Sequence, residues 1–216
     1  MRSSAAVALA SPPPRRTQAE RRAATRGKLL EATIDCLTEL GYAGTTTTEV
    51  CLHAGVSQGA LFKHFPSKAD LVSAAAEHLF ASLIADYVTT LPQLTPKADK
   101  VAAAIDLLWQ IFAQPRLHAT FELYLAARTD PELAAAMRPV SERHRDNLYI
   151  LACELFPEAA AGNPRLGGLL QIIIDTLQGA ALGSFTLPEP RRTRAMLAVL
   201  TDLARRELQA ANPPAR

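Results

Sequence analysis

Apolar residues recur along this chain at spacings of three and four, and clear helix-starting and helix-ending signals divide the runs. Leu30, Ile34 and Leu37 form one stripe and Leu29, Ala32, Cys36 and Leu40 the neighbouring row, so the segment after Thr17 reads as one amphipathic helix. Thr17-Gln18-Ala19-Glu20 has capping-box spacing, in which a hydroxyl and a carboxylate three residues apart satisfy each other's backbone N–H groups, and Gly41 stands where a helix-ending glycine belongs. A second box, Thr46-Thr47-Thr48-Glu49, opens a short helix through Val50, Cys51 and Leu52 to Ala54, and Gly55 stops it. Ser57 caps a third, Gln58 to His64, which Pro66 closes. Ser67-Lys68-Ala69-Asp70 starts a long fourth helix through Leu71, Ala74, Ala75 and Leu79 towards Tyr87. Farther on, Thr95-Pro96, Gln114-Pro115, Asp130-Pro131, Asn163-Pro164 and Glu189-Pro190 mark five more helix starts, because proline in the first turn forfeits no hydrogen bond. Pro139 leaves the segment after Pro131 with two readings, a short helix followed by a longer one or a single kinked helix. The β-branched cluster Thr45 to Thr48 falls between glycine-bounded helical patterns, so the expectation is an all-α fold of about nine helices without repeat or linker.

Two short helices joined by Ala54-Gly55-Val56-Ser57 make a helix-turn-helix. Projected at about 100° per residue, Leu61 and Phe65 of the third helix point one way and Gly59, Ala60 and Lys63 the other. Leu61, Phe65, Val50 and Leu52 are therefore expected in the core. The outward face is small and basic, which suits a helix entering the DNA major groove. Ala60 can touch a thymine methyl, and Gln58 can pair with adenine or bond a phosphate. Thr46, Thr47 and Thr48 set hydroxyls and N–H groups at the positive end of the second helix, a natural phosphate site. Ser57 reads as a cap before a base contact, and His53, ahead of the turn, as a surface residue.

Composition agrees with a globular chain. Of 216 residues, 49% are hydrophobic and 20% charged, enough apolar surface for a core. Cys36, Cys51 and Cys153 are odd in number and widely spaced, with only His53 near any of them, which favours a reduced compartment and no zinc. The start, MRSSAAVALASPPP, imitates a signal peptide only faintly; residues 1–16 read as a disordered basic tail. No apolar stretch is expected to reach the roughly 18 residues of a membrane span, and a soluble, cytoplasmic protein follows. Net charge is +2, but residues 1–68 hold nine Lys/Arg against five Asp/Glu. Arg15, Arg16, Arg21, Arg22, Arg26 and Lys28 gather at the first helix start. Charge alone leaves phosphate binding and a solvated helix face equally open.

The segment GYAGTTTTEVCLHAGVSQGALFKHFPSKADL, Gly41 to Leu71, closely resembles the DNA-binding signature of the TetR family of bacterial regulators, with its threonine cluster, Ala-Gly-Val-Ser turn, Leu-aromatic-x-His-Phe and Ser-Lys in order. The likeness runs from the first helix into the fourth; residues 75–216 share only length and helical layout. It implies a helix-turn-helix domain over 17–70 and a regulatory and dimerisation domain over 71–216. It also implies that His64 and Lys68 hold backbone phosphates and that Thr48 approaches a base. Phe62 replaces the family's usual tyrosine, so one phosphate bond is lost while packing remains, and Cys51 stands where alanine is common: a small buried residue, with a thiol switch as the alternative. The DNA-contacting set is thus Thr46, Thr47, Thr48, Gln58, Gly59, Ala60, Phe62, Lys63, His64 and Lys68.

In the regulatory part, Leu169, Leu170, Ile172, Ile173, Ile174 and Leu177, then Met196, Leu200, Leu203 and Ala204, make two helices apolar around most of their girth. A second subunit is the simplest cover, and the resemblance puts the homodimer interface there; an intramolecular core is the alternative. Asp106, Trp109, Gln110, His118, Phe121, Glu122, Tyr124 and Arg128 are polar and aromatic groups within apolar stretches, where the resemblance places a cavity for a small-molecule effector. Plain core packing explains the aromatics equally. No H-E-x-x-H, G-x-S-x-G, G-x-G-x-x-G or Walker pattern occurs, so neither an enzyme, a metal nor a cofactor is expected. A helical interaction module would account for the second half but not for the reader. The expected function is a sequence-specific regulator, a repressor released from double-stranded DNA by its ligand.

Overall fold

In the computed structural model, which describes residues 17–90 and 99–210, ten helices occur and no strand among the described residues. They are α1 (Gln18–Gly44), α2 (Thr47–Ala54), α3 (Gln58–Phe62), α4 (Lys68–Thr90), α5 (Lys100–Phe112), α6 (Pro115–Ala127), α7 (Pro131–Leu155), α8 (Pro157–Gly162), α9 (Leu166–Ser184) and α10 (Pro190–Ala210). The basic tail and the Thr95-Pro96 helix start lie outside the described residues.

Local chemistry starts the helices much as the sequence predicts. Thr17 and Glu20 form a complete capping box, with Thr17 N–H to Glu20 Oε2 at 2.7 Å and Glu20 N–H to Thr17 Oγ1 at 3.2 Å. Thr46 Oγ1 accepts from Glu49 N–H, Ser57 Oγ from Ala60 N–H, and Asp130 Oδ1 from Leu133 N–H. Ser67 and Asp70 cap α4 reciprocally. The first described helix after α4 is capped by Asp99, whose carboxylate accepts from Val101 and Ala102 N–H. Pro139 lies inside one continuous α7, which decides between the two readings of that segment. The helix α8, opened by Pro157, is an addition to the expected set; the same proline-first signal marks it.

One core runs through the molecule. Leu29, Ile34 and Leu37 of α1 meet Val50, Leu61 and Phe65 of the helix-turn-helix, and the same core continues through Leu71, Val72 and Leu79 into the body. Because α1 packs on α6 as well as on α2 and α4, and α4 packs chiefly on α7, two helices tie the reader to the body. Two core expectations are corrected. Leu52 is 68% exposed: Val50, Cys51 and Ala54 already fill the inward side of the two-turn α2, and Leu52 lies about 200° from Val50. Leu40, at the last turn of α1, is 45% exposed because the chain departs at Gly41 before a neighbour covers it. A third correction concerns membrane-spanning length: α4 and α9 are long and apolar enough to cross a bilayer by length and composition alone. Both contribute core residues, among them Leu79 and Phe80 of α4 and Ile173 and Leu177 of α9.

Candidate DNA-binding and ligand sites

The reader is shaped by one left-handed residue. Gly55, at φ 65° and ψ 39°, ends α2 and turns the chain so that Ser57 can cap α3. Burial of Val50, Leu61 and Phe65 then leaves the opposite face free. Thr46, Thr48, Gln58, Gly59 and Lys63 are exposed, Thr47, Ala60 and His64 half-buried, and Phe62 is 49% exposed. Gln58 Nε2 donates to Thr48 Oγ1 at 2.8 Å, so the first residue of α3 and the second of α2 form one polar surface. Nothing stands within 4 Å of where a Cβ on Gly59 would lie, so that stretch of backbone can approach a partner closely. Arg21, Arg22 and Lys28 are exposed on α1, and the Arg26 guanidinium sits 5.2 Å from the Phe65 ring centre. Burial, with Arg22 and Arg26 nearby, pushes the His64 pKa down, so at neutral pH it offers an uncharged imidazole.

Lys68 is placed less simply than its predicted role suggests. Its Nζ donates to the Tyr42 carbonyl at 2.9 Å and lies 4.0 Å from the Tyr42 ring centre. Burial pushes its pKa down and the Asp130 carboxylate opposes this. Tyr42 is a junction that sequence reasoning passed over. Its hydroxyl donates to Asp130 Oδ2 at 2.8 Å, and its pKa is pushed up to about 12 by burial and then by that carboxylate. The only signal was its position after Gly41, whose φ of 67° and ψ of 179° break α1 and turn the next N–H towards Glu122. A second link joins Glu31 of α1 to His78 of α4 and Arg116 of α6. Burial raises the Glu31 pKa, but the bonds to His78 and Arg116 outweigh it and the net shift is downward.

Two adjacent cavities lie in the body, of about 60 Å³ and about 90 Å³. They share Tyr87, Leu108, Leu148, Leu151 and Ile174 as a partition. The first is wholly aliphatic apart from Tyr87 and Phe156; the second adds Phe80, Thr120, Phe121, Tyr124, His144 and Gln178. Of the residues singled out from the sequence, Phe121 and Tyr124 line the second cavity. Trp109 is half-buried against the core, and His118 is half-buried 4.4 Å from Phe185, ring centre to ring centre; neither lines these cavities. Asp106, Gln110, Glu122 and Arg128 are exposed. His144 was missed although a signal existed: it continues the α7 stripe Leu133, Met137, Val140, where an apolar residue is expected.

Residues 29–75 match the family model described as "Bacterial regulatory proteins, tetR family". An uncharacterised HTH-type transcriptional regulator of Mycobacterium tuberculosis is 31% identical over 193 residues, covering 87% of this chain and 96% of the relative. The chain belongs to the TetR family. The HTH-type transcriptional regulator CymR of Pseudomonas putida is likewise 31% identical, over 83% of this chain and 89% of that protein. Among solved structures, the multidrug binding protein EbrR complexed with imidazole aligns at 26% identity and a TM-score of 0.63, over 88% of this chain and 96% of that one. A transcriptional regulator from Rhodococcus sp. Rha1, at 20% identity and a TM-score of 0.62, covers 88% of this chain and 99% of its own, and shows the same fold. This TetR-family protein is a DNA-binding transcriptional regulator. Regulators of the family bind DNA and small molecules, act as dimers and are generally not enzymes.

Proposed function

We propose that this protein is a non-enzymatic cytoplasmic repressor that binds a near-palindromic operator as a homodimer and leaves it when a small molecule fills the cavities in its body. The observation that carries this reading is the course of α4. It begins at Lys68, beside the reader, and lines the cavities with Phe80, Leu83, Ile84 and Tyr87. At a rise of 1.5 Å per residue, Lys68 and Phe80 are about 18 Å apart along one rigid helix. A ligand that moves the far end of α4 therefore moves the reader, and a tenfold loss of operator affinity needs only about 1.4 kcal/mol of preference for the DNA-incompetent state. EbrR, seen with imidazole, proflavin and ethidium, supports a small-molecule site on this fold.

In this reading residues 17–70 read DNA and 71–216 regulate. Thr46, Thr47, Thr48, Lys63, His64 and Lys68 hold backbone phosphates, Phe62 contributes packing alone, and Gln58, Gly59 and Ala60 face base edges with Thr48 beside them. Dimerisation through α9 and α10 is supported by Ile172, Val199 and Leu203, apolar residues that one protomer leaves exposed. Two symmetric readers then enter successive major grooves about 34 to 36 Å apart.

The experiment is to select genomic fragments with the purified protein, define the shared sequence, and measure binding of wild type and Gln58→Ala to that site and its single-base variants. Gln58→Ala is expected to change the preferred base at one position in each half-site. A uniform loss of affinity with an unchanged preference would remove Gln58 from the base-reading face.

A further inference from the structure

Resting on the cavity reading above, we infer that the ligand is an uncharged molecule of about one aromatic ring with a single hydrogen-bonding end, and that His144 is the residue that receives this end. Size is the first ground. An apolar cavity of about 150 Å³ takes up benzene, and the two cavities, once their shared partition shifts, approach that order of volume.

Charge is the second ground. Among the described residues, no Asp, Glu, Lys or Arg lines either cavity. A bound cation would give up its hydration with no carboxylate to replace it, a penalty that buried ions escape only by pairing. The acidic and basic groups nearby, Arg145, Asp146 and Asp175, line an outer groove that shares Tyr124, His144 and Gln178 with the inner cavity.

Hydrogen-bonding capacity is the third ground. The Thr120 hydroxyl donates to the Leu117 carbonyl and the Tyr87 hydroxyl to the Ala104 carbonyl. The protons of these two hydroxyls are committed, while Tyr124 and Gln178 also line the outer groove. His144 Nδ1 is buried without a hydrogen-bond partner, while its ring is clamped against Phe80, centroids 3.8 Å apart and planes 10° from parallel. A buried polar atom of this kind is costly unless something bonds it. Burial also pushes the His144 pKa down to about 4, which keeps the ring uncharged at neutral pH and suits it to a neutral partner.

The test uses three ring-sized probes, p-cresol, toluene and benzylammonium, titrated into the full-length protein at millimolar concentration by calorimetry and ligand-observed NMR. Wild type should bind p-cresol at least about fivefold tighter than toluene, one neutral hydrogen bond converted to an affinity ratio. Benzylammonium should not bind. His144→Phe keeps a ring against Phe80 but removes the nitrogen, and should bring p-cresol and toluene to equal affinity. His144→Gln, which restores a hydrogen-bonding group, should recover part of the preference. Equal affinities in wild type, binding of benzylammonium, or a p-cresol preference that survives in His144→Phe would each overturn the inference while leaving a cavity that binds ligands. Failure of all three probes to bind would overturn the inference and the cavity reading together. Release from the operator, measured with p-cresol in the same samples, tests gating separately.

Discussion

Lys68 holds a position where two roles predict different numbers. As a phosphate ligand it contributes to counterion release; as a strut it holds the Tyr42 carbonyl at 2.9 Å. Lys68→Met keeps the aliphatic stem above the Tyr42 ring and removes the charge. If Lys68 contacts one phosphate per protomer, the slope of log affinity against log salt should become shallower by about 0.9 for each half-site, or about 1.8 for a dimer on its operator. Between 50 and 200 mM salt, one such contact changes affinity by roughly 3.5-fold. The strut alone is worth about 0.5 kcal/mol, the lower end for a hydrogen bond, because the half-buried ammonium regains water when freed. That corresponds to a fall in Tm of about 1 to 2 °C for a chain of this size. Fluorescence anisotropy on labelled operator at a series of salt concentrations, with thermal unfolding at a fixed protein concentration, reads both quantities. An unchanged salt slope with a Tm several degrees lower would refute the phosphate role and leave Lys68 as a strut.

Gly41→Ala should cost roughly 2 to 3 kcal/mol, since its backbone lies in a region that only glycine occupies readily and a Cβ would come within 3.1 Å of Glu122 Oε2. Gly55→Ala should cost about 1 kcal/mol, because its left-handed site has open space and only the conformation is penalised. Urea unfolding of the two variants checks the order, and a Gly55→Ala cost equal to or above that of Gly41→Ala would show that the α1 break is not under this constraint. Phe62→Tyr should tighten operator binding by roughly two- to tenfold per protomer with Tm unchanged, by restoring a hydroxyl on an exposed ring; no gain in titrations would mean that the ring does not face a phosphate. Val199→Glu, at a residue 69% exposed in the protomer, should leave the monomer folded and weaken the dimer by about a hundredfold or more, read by light scattering. A dimer of unchanged affinity would move the interface off that face of α10.

The all-helical fold, the reader and most helix starts could be derived from sequence because they are local events. A threonine cap, a left-handed glycine or a first-turn proline acts on backbone groups within four residues, so Thr17, Gly55 and Pro131 do the same thing in a peptide pattern as in the folded chain. The outward face of α3 was legible for a related reason: Leu61 and Phe65 have one side to bury, which determines where Gly59, Ala60 and Lys63 point. Only tertiary packing decided the rest. Leu52 and Leu40 are apolar and correctly spaced, yet no neighbouring helix arrives to cover them. Tyr42, Lys68 and Asp130 are brought together across 88 positions of chain, a separation that no spacing rule spans. The cavities are built from α4, α5, α6, α7, α9 and α10, and a side chain that borders a void has the same periodicity as one packed against a neighbour. Periodicity therefore singled out Phe121 and Tyr124 but could not separate them from Trp109 and His118. His144 acquired its meaning only when Phe80 of another helix closed over its ring and left Nδ1 without a partner.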